Sequence, residues 1–234
     1  MSLNYMVNGQ MVEHVPKILY PGTGQLGDPA EIVVWDGAKY VRVWPEPPKG
    51  VAYTDALNSL AGFTQTKTAD GVESNNGQAA WPGGSSGSSR VLYNQPAMTD
   101  NQYVAVDLAT TTARTGTLIC HCDDAATGWY GASWSSGSTI AFGRGSGMWN
   151  GSFDSTIASV NSGTPGGTGK VELWNVGDQF RVAVNGTVVI NTTVANSIRG
   201  TGYRRQGLGM YRTAFLSTGR IETWYGGDAV AYGK

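Results

Sequence analysis

Aromatic side chains are the residues of this chain whose chemistry best suits ligand recognition. The sequence contains 8 Trp and 11 Tyr, and the apolar C–H face of a sugar ring stacks on such rings. Trp129, Trp134 and Trp149 lie in a stretch rich in Gly and Ser, where core packing and sugar stacking are both open. Trp129 and Trp134 have opposite parity on an uninterrupted strand, so at least one is expected in the core unless both flank a turn. Trp149, between Gly147-Met148 and Asn150-Gly151, is expected in an exposed loop.

Two neighbouring arginines add a charged candidate. Arg204 and Arg205 follow Gly202-Tyr203, and a guanidinium group binds acidic groups through charge-assisted hydrogen bonds. A solvated pair of loop cations is the alternative interpretation, because exposed arginines are usually hydrated. We predict five ligand-binding residues: Trp129, Trp134, Trp149, Arg204 and Arg205.

The carboxylates and histidines do not predict catalysis. A glycosidase needs two carboxyl groups about 5–10 Å apart across the scissile bond, which on one strand appear as acids at i and i+2 or i+4. Asp107, Glu172 and Glu222 each stand alone on a strand-like stretch. His14 and His121 lack the neighbouring nucleophile motif of a serine triad. The sequence therefore predicts no catalytic residues and no enzyme activity.

The two cysteines are expected to be reduced and packed. Cys120 and Cys122 are next-but-one neighbours, about 6–7 Å apart along a strand, which is poor geometry for a disulfide. Alternation along the strand places His121 on the opposite face from both thiols. No second Cys/His pair is present, so we predict no zinc site.

Calcium is the metal that remains open. The ion prefers clustered oxygen ligands, and Asp100, Asp123 and Asp124 with loop carbonyls are the candidate donors. The spaced Asp-x-Asp-x-Asp pattern does not occur in the sequence. We therefore predict no cofactor and no defined metal site, with calcium as the alternative.

The composition argues against several classes of partner. Charged residues make up 14% of the chain and the formal net charge is -1, so nucleic acid and anionic membrane surfaces are not expected partners. No apolar run approaches the ~20 residues of a membrane-spanning helix, so no membrane insertion is expected. The opening residues lack the basic region and apolar core of a secretory signal, which predicts synthesis in a cytoplasm.

Residues 170–192 show the clearest local structure. Apolar residues alternate with polar ones on both sides of Asn185-Gly186, which is typical of a β-hairpin. A two-residue turn would place Val188 and Ile190 on the face of Arg181 and Ala183, whereas a three-residue loop ending on Gly186 places them with Phe180 and Val182. Burial favours the second register, with Gly186 in a left-handed bulge position.

The rest of the chain divides into a short module and a larger domain. Short strands with Gly-rich turns recur from residue 51 onward, which indicates an all-β sandwich over residues 51–234. Residues 1–48 predict a hairpin around Asp36-Gly37 and end in a Pro-rich linker. This module is too small to be stable alone, so it is expected to dock on a partner or on copies of itself. The predicted attachment or oligomerisation residues are Trp35, Tyr40 and Trp44.

The larger domain resembles the concanavalin A-like (laminin G-like) jelly rolls. The resemblance rests on the hairpin Val-Gly-Asp-Gln-Phe-Arg-Val-Ala-Val-Asn-Gly-Thr-Val-Val, on Asp-Asn-Gln-Tyr-Val-Ala-Val-Asp-Leu and Gly-Trp-Tyr-Gly-Ala, and on the closing Gly-Leu-Gly and Gly-Gly-Asp segments. It implies an antiparallel two-sheet jelly-roll sandwich whose terminal strands lie beside early ones. It also makes calcium a candidate ligand, because many lectins of this fold bind that ion.

The first module resembles the N-terminal segments of minor tail proteins from phages of mycobacteria and related actinobacteria. The segment is Ile-Val-Val-Trp-Asp-Gly-Ala-Lys-Tyr-Val-Arg-Val-Trp-Pro-Glu-Pro, which in those proteins precedes a concanavalin A-like domain. The resemblance implies a viral tail protein, assembled in the host cytoplasm and located in the virion, with other tail proteins and symmetric copies, a homotrimer or higher, as partners. The sandwich is then expected to bind a host cell-envelope glycan or receptor. A purely structural tail subunit and a glycan-cleaving enzyme are the alternatives.

Overall fold

The chain folds into two compact units, Met1–Lys49 and Gly50–Lys234. The computed structural model describes six short strands and Ala38 within residues 1–49, and then residues 50–110, 116–134, 139–161, 169–213 and 219–234. No helix in the described ranges is both long enough and apolar enough to cross a membrane.

The described backbone of the first unit forms three two-stranded antiparallel sheets. Their strands are β1 (Leu3–Val7), β2 (Gln10–His14), β3 (Ile18–Leu19), β4 (Leu26–Gly27), β5 (Ile32–Trp35) and β6 (Tyr40–Trp44). The predicted hairpin is confirmed, because β5 pairs with β6 and Trp35 lies opposite Tyr40. The side chains of Trp35, Tyr40 and Trp44 and the predicted linker at 45–49 lie outside what the structure describes, so the attachment role of these residues stays a prediction.

The second unit contains two antiparallel sheets of eight and seven strands in its described ranges. Its strands are β7 (Ala52–Asp55), β8 (Phe63–Lys67), β9 (Glu73–Asn75), β10 (Gln78–Ala80), β11 (Gly87–Tyr93), β12 (Gln102–Thr110), β13 (Gly116–Cys122), β14 (Trp129–Trp134), β15 (Thr139–Gly145), β16 (Ser155–Asn161), β17 (Gly169–Val176), β18 (Gln179–Val184), β19 (Thr187–Thr193), β20 (Arg205–Arg212) and β21 (Arg220–Asp228). Two 3₁₀ turns, Thr201–Tyr203 and Ala229–Tyr232, flank the last two strands.

The strand order is that of a jelly-roll sandwich. The eight-stranded sheet runs β19-β18-β17-β12-β21-β10-β9, with β7 also paired to β21, and the seven-stranded sheet runs β16-β15-β14-β13-β20-β11-β8. The late strands β20 and β21 therefore pair with the early strands β11 and β12, as the resemblance implied. The predicted all-β, antiparallel two-sheet fold is confirmed.

Alternation along the strands separates a core between the sheets from the outer faces. On β12, Val104, Val106 and Leu108 point into the inter-sheet core, whereas Tyr103 and Ala105 belong to a separate cluster on the outer side. Because successive side chains of a strand point to opposite faces, one sequence supplies both surfaces. The outer face of the eight-stranded sheet thereby carries its own aromatic residues.

A β-bulge at His121 changes the expected direction of three side chains. The pairing of β13 with β20 shifts register between Ile119 and Cys122, and His121 has a left-handed φ of 50°. As a result Cys120 packs in the inter-sheet core and Cys122 on the outer face of the seven-stranded sheet. The His121 ring lies 5.6 Å from that of Phe180, on the core side. The expectation that both thiols share a face opposite His121 is therefore wrong, because the bulge inserts one extra residue.

The prediction that the thiols are reduced and packed is confirmed. Cys120 and Cys122 are both free and buried. Burial raises the pKa of both thiols, and that of Cys122 to about 12. A thiol with a raised pKa carries little thiolate near neutral pH and is a poor nucleophile.

The turn at Asn185-Gly186 also differs from the predicted one. Val184 pairs with Thr187, and both turn residues have left-handed φ values of 50° and 78°, so the loop is a two-residue turn of the kind that matches strand twist. A bulge at Val189 then places Ile190 opposite Val182. The three-residue loop was wrong, yet Ile190 still reaches the core. Val188, which was expected to join it, is 46% exposed.

Candidate functional site

Three neighbouring strands bring polar and aromatic residues together on the outer face of the eight-stranded sheet. Across β17, β12 and β21, Lys170 lies opposite Asp107, which lies opposite Thr223. Two residues further along each strand, Glu172 lies opposite Ala105, which lies opposite Tyr225. Residues directly opposite one another on antiparallel strands have neighbouring side chains. The sheet thus gathers groups that are 50 to 120 positions apart in the sequence.

A bulge on β21 opens a pocket at this position. Asp107 pairs with Thr223 and Leu108 pairs with Ile221, so Glu222 is an extra residue with no partner on β12. A bulge redirects side chains and locally disrupts the ladder, and Glu222 is exposed. The resulting pocket, which we name the β12–β21 pocket, has a volume of about 360 Å³. It is lined by Asp107, Leu108, Gly169, Lys170, Glu222 and Thr223.

The polar groups of the pocket are held in place by Tyr225. Its hydroxyl donates a hydrogen bond to Asp107 Oδ2 at 2.7 Å, and Lys170 Nζ lies 3.8 Å from the centre of its ring. The hydrogen bond to Asp107, followed by burial, raises the pKa of Tyr225 to about 12, so the hydroxyl remains a donor at neutral pH. The pocket therefore presents the Lys170 ammonium, the Thr223 hydroxyl and the carboxylates of Asp107 and Glu222, which suits a ligand rich in hydroxyl groups.

The predicted tryptophans lie in two different places. Trp134 packs in the inter-sheet core, whereas Trp129 and Trp149 pack together with Phe153 on the outer side of the seven-stranded sheet. The expected opposite parity of Trp129 and Trp134 is confirmed, and both rings are buried. No one surface presents all three rings, and their ligand-binding role stays a prediction that the burial does not support.

The expectation that Trp149 is an exposed loop residue is wrong. The side chain is 1% exposed, and its ring centre lies 4.9 Å from that of Phe153 and 6.2 Å from that of Trp129. Space for it comes from Gly209 on β20, where an added Cβ would lie 2.5 Å from the Trp149 Cβ. The lack of a side chain at Gly209 therefore allows the Trp149 loop to lie close against the sheet.

The two predicted arginines are each engaged by a carboxylate. Arg204 Nε donates to Asp100 Oδ1 at 3.0 Å, and Arg205 Nη1 lies 2.7 Å from Asp124 Oδ1. Arg205 Nε also donates to the carbonyl of Tyr93 at 2.9 Å. The pair does not form an open anion site in this arrangement, and its role in ligand binding likewise stays a prediction.

The candidate calcium ligands do not fit a calcium site. Asp100 and Asp124 bind the two arginines, and Asp123 accepts hydrogen bonds from the backbone and hydroxyl of Thr127 at 2.8 and 2.7 Å. Across the part of the chain that the structure describes, no three His, Cys, Asp or Glu side chains are grouped as metal ligands. The carboxylates proposed for calcium thus have other partners.

A buried polar network lies between the sheets at His121. The side chain is fully buried, and its Nε2 lies 2.9 Å from Asn175 Oδ1. Gln102 Oε1 accepts from the His121 backbone N–H at 3.1 Å and from Gln206 Nε2 at 3.1 Å. Burial lowers the pKa of His121, and the hydrogen bond to Asn175 opposes the shift. Among the charged groups nearby, Asp100 raises this pKa and Arg199 lowers it.

The lowered pKa predicts a loss of stability in mild acid. In the unfolded chain histidine has a pKa of about 6.5, so below that pH the unfolded state binds a proton that the folded state does not. The free energy of unfolding is therefore expected to fall as pH drops from about 6.5 toward the folded pKa, by at most ~1.4 kcal/mol per pH unit. Urea unfolding measured between pH 7.5 and 5.5 checks the slope.

Variants of the two histidines identify the source of that slope. His121→Asn is expected to flatten it, and Asn tolerates the left-handed backbone at this position. His14→Asn, in the first unit, is expected to leave it unchanged. If His121→Asn and the parent protein showed the same slope, the effect would belong to another group.

The strand order and the two antiparallel sheets define the second unit as a jelly-roll sandwich of the concanavalin A-like fold. No protein-family model matches the sequence, and no curated protein sequence matches it significantly. Among solved structures, the chain is similar to the Ca²⁺/Man2-bound VIP36 exoplasmic/lumenal domain, with 8% identity and a TM-score of 0.55 over 75% of this chain and 86% of that one.

Two further solved structures are similar in the same way. A mutant of the Emp46p carbohydrate recognition domain has 11% identity and a TM-score of 0.51, over 74% of this chain and 91% of that one. The carbohydrate binding module CBM66 from Bacillus subtilis has 18% identity over 71% of this chain and 92% of that one, with a TM-score of 0.47. At these identities the similarity shows the fold alone.

Sequence reasoning missed the pocket residues. Asp107 and Glu222 stood alone on their own strands in the sequence, yet they line the same pocket because β12 pairs with β21. The signal that could have found them was the expectation that terminal strands lie beside early ones. The register of that pairing, and the bulge at Glu222, were not readable from spacing along one strand.

Proposed function

We propose that the second unit binds a glycan without cleaving it, through the β12–β21 pocket. The observation that carries this proposal is the convergence of Lys170, Thr223 and two carboxylates in one open pocket of about 360 Å³. This volume lies within the range of small-molecule sites, about 300–1,000 Å³. The ammonium and hydroxyl donate to sugar oxygens, and Asp107 and Glu222 accept from sugar hydroxyls.

The rigidity of the pocket supports binding of a hydroxyl-rich ligand. Asp107 is fixed by the Tyr225 hydroxyl, and Lys170 by its position over the Tyr225 ring. Groups that are already oriented lose less conformational entropy when a ligand binds. The structural neighbours add support at the level of fold: the VIP36 domain was solved with Man2, and the Emp46p domain is a carbohydrate recognition domain.

We further propose that the chain is a minor tail protein of an actinobacterial phage, assembled in the host cytoplasm and carried in the virion. This part is supported by the resemblance of the Trp-Asp-Gly segment in the first unit. In this proposal Met1–Lys49 joins other tail proteins or symmetric copies, and the sandwich meets the host envelope. Several weak sites on a symmetric tail gain affinity through effective concentration.

The proposal predicts that removing one pocket carboxylate weakens glycan binding. Glu222→Gln is expected to reduce the affinity of the oligomeric protein for purified host-envelope polysaccharide by about tenfold, because a charge-assisted acceptor is lost. Biolayer interferometry with immobilised polysaccharide measures the change. Lys170→Ala is expected to act in the same direction.

Glu73→Gln is the matched control, since Glu73 is an exposed glutamate on β9 of the same sheet and does not line the pocket. Equal binding by the Glu222 and Glu73 variants would contradict the assignment of the pocket. If the parent protein released sugar from the polysaccharide and Glu222→Gln did not, the glycan-cleaving alternative would be favoured. Glycoside hydrolysis uses two carboxyl groups, and this pocket contains two.

Cryo-electron microscopy of the intact particle tests the virion part of the proposal. We expect sandwiches that project from the tail tip with the β12–β21 pocket free. Sandwiches enclosed by other tail proteins would favour a purely structural subunit, and their absence from the particle would reject the tail assignment.

A further inference from the structure

The chain segment after β21 covers part of the outer face of the eight-stranded sheet. Residues Ala229–Tyr232 form a 3₁₀ turn, and the ring of Tyr232 stacks on that of Tyr103 with centres 4.1 Å apart. The Tyr232 hydroxyl lies 2.7 Å from the carbonyl of Tyr53 and 3.0 Å from that of Gly226. These contacts hold the segment against the sheet and place Lys234, two residues after Tyr232, over it.

The ammonium group of Lys234 occupies a recess of defined chemistry. Its Nζ lies 3.2 Å from Glu172 Oε1, 4.5 Å from the centre of the Trp174 ring and 5.8 Å from that of the Tyr103 ring. We name Tyr103, Glu172 and Trp174 the ammonium recess. Aromatic faces and a carboxylate around one point are the arrangement that recognises a cation.

The recess is built on the rigid part of the sheet. Tyr103 lies directly opposite Trp174 on the paired strands β12 and β17, and the Tyr103 hydroxyl donates to Glu172 Oε1 at 2.8 Å. Trp174 is 5% exposed and Tyr103 is 2% exposed. The three groups therefore keep their geometry independently of Lys234, since strand pairing and their mutual hydrogen bond position them.

Lys234 is more exposed than the groups that surround its ammonium. Its side chain is 27% exposed, against 8% for Glu172, and its backbone is held by a hydrogen bond from its N–H to the carbonyl of Ala229 at 3.0 Å. The lysine stem has four rotatable bonds. Rotation about these bonds moves the ammonium group out of the recess without a change in the sheet backbone.

We propose that the ammonium recess binds the primary ammonium group of a ligand, and that Lys234 occupies it in cis until a ligand displaces it. This site is separate from the β12–β21 pocket and does not depend on glycan binding there. With an occupant in cis, the apparent affinity for a competing ligand equals the intrinsic affinity multiplied by the fraction of time that the site is free.

Removal of Lys234 tests the proposal, with ethylammonium chloride as the probe. In Lys234→Ala, ethylammonium is expected to shift the Trp174 indole N–H resonance with saturation, and to bind at least about fivefold more tightly than in the parent protein. It is also expected to raise the melting temperature of Lys234→Ala above the value in sodium chloride of equal ionic strength. Lys234→Gln, which keeps most of the side-chain length without the charge, is the second variant.

The double variant Lys234→Ala with Glu172→Gln is the specificity control, because it keeps both rings and removes the carboxylate charge. It is expected to lose the saturable shift. Equal affinities in the parent and Lys234→Ala, or a linear response matched by sodium chloride, would overturn the proposal.

Discussion

Asp228→Ala is expected to lower the free energy of unfolding of the second unit by about 3–5 kcal/mol. Asp228 is fully buried at the end of β21. Its carboxylate accepts hydrogen bonds from the backbone N–H groups of Val51, Met98 and Thr99 at 2.8, 3.1 and 2.6 Å, and from the Thr99 hydroxyl at 2.7 Å. Alanine leaves these donors without their acceptor, and a donor left unsatisfied in the interior costs about 1–3 kcal/mol.

The loss of stability in Asp228→Ala should be largest at β7, the first strand of the second unit. Val51 also accepts a hydrogen bond from the Asp228 backbone N–H at 2.8 Å, and β7 begins at the next residue. Urea denaturation measures the global change, and hydrogen exchange should show faster opening of β7 than of β17 in Asp228→Ala. Asp228→Asn keeps one acceptor oxygen and is expected to cost less.

Asp154→Ala is the control for removal of an aspartate. Asp154 is exposed and accepts from the Ser146 hydroxyl at 2.7 Å, so its loss is expected to change stability by less than about 0.5 kcal/mol. A similarly small effect of Asp228→Ala would mean that the loop around Met98 and Thr99 finds other acceptors.

Alternation and strand order made the architecture predictable. On β12 and β17, apolar residues at every second position gave both the strands and their buried faces, because a strand of period 2 must turn one face inward. The jelly-roll resemblance supplied the pairing of late with early strands, which local pattern does not contain. Together they predicted the two-sheet sandwich that the structure shows.

Bulges explain the errors in side-chain direction. At His121 and at Val189 one inserted residue reverses the parity of everything that follows on the strand. The polar network around His121 and the burial of Ile190 stabilise these irregularities through contacts with other strands. Such contacts are non-local, so regular alternation read from the sequence assigned the wrong face to Cys122 and Val188.

The residues of the β12–β21 pocket were not predicted from the sequence for a related reason. Asp107 and Lys170 become neighbours through the register of β12 with β17, and Glu222 joins them through a bulge against β12. None of the three belongs to a motif along the chain. Tryptophans were the more visible signal, but large rings stabilise a sandwich most when they are buried, which is where Trp129, Trp134 and Trp149 lie.

Trp149→Ala is therefore expected to act on stability, with a loss of about 3–5 kcal/mol in the free energy of unfolding. The Trp149 Cβ lies over Gly209, and the ring packs against Trp129 and Phe153. The Trp149 backbone also forms an isolated β-bridge with Ser89 on β11. The ring and this bridge together hold the loop between β15 and β16 against the sheet. Truncation leaves a cavity and releases that loop.

Stability and binding measured on the same variant separate packing from recognition. At a temperature where Trp149→Ala remains folded, its affinity for host-envelope polysaccharide is expected to equal that of the parent protein, because the β12–β21 pocket lies on the other sheet. Trp149→Phe, which retains an aromatic ring, is expected to lose less stability. If Trp149→Ala kept the urea midpoint of the parent protein but lost polysaccharide binding, the Trp149 ring would be a ligand contact. That is the role that its Gly-rich surroundings in the sequence indicated.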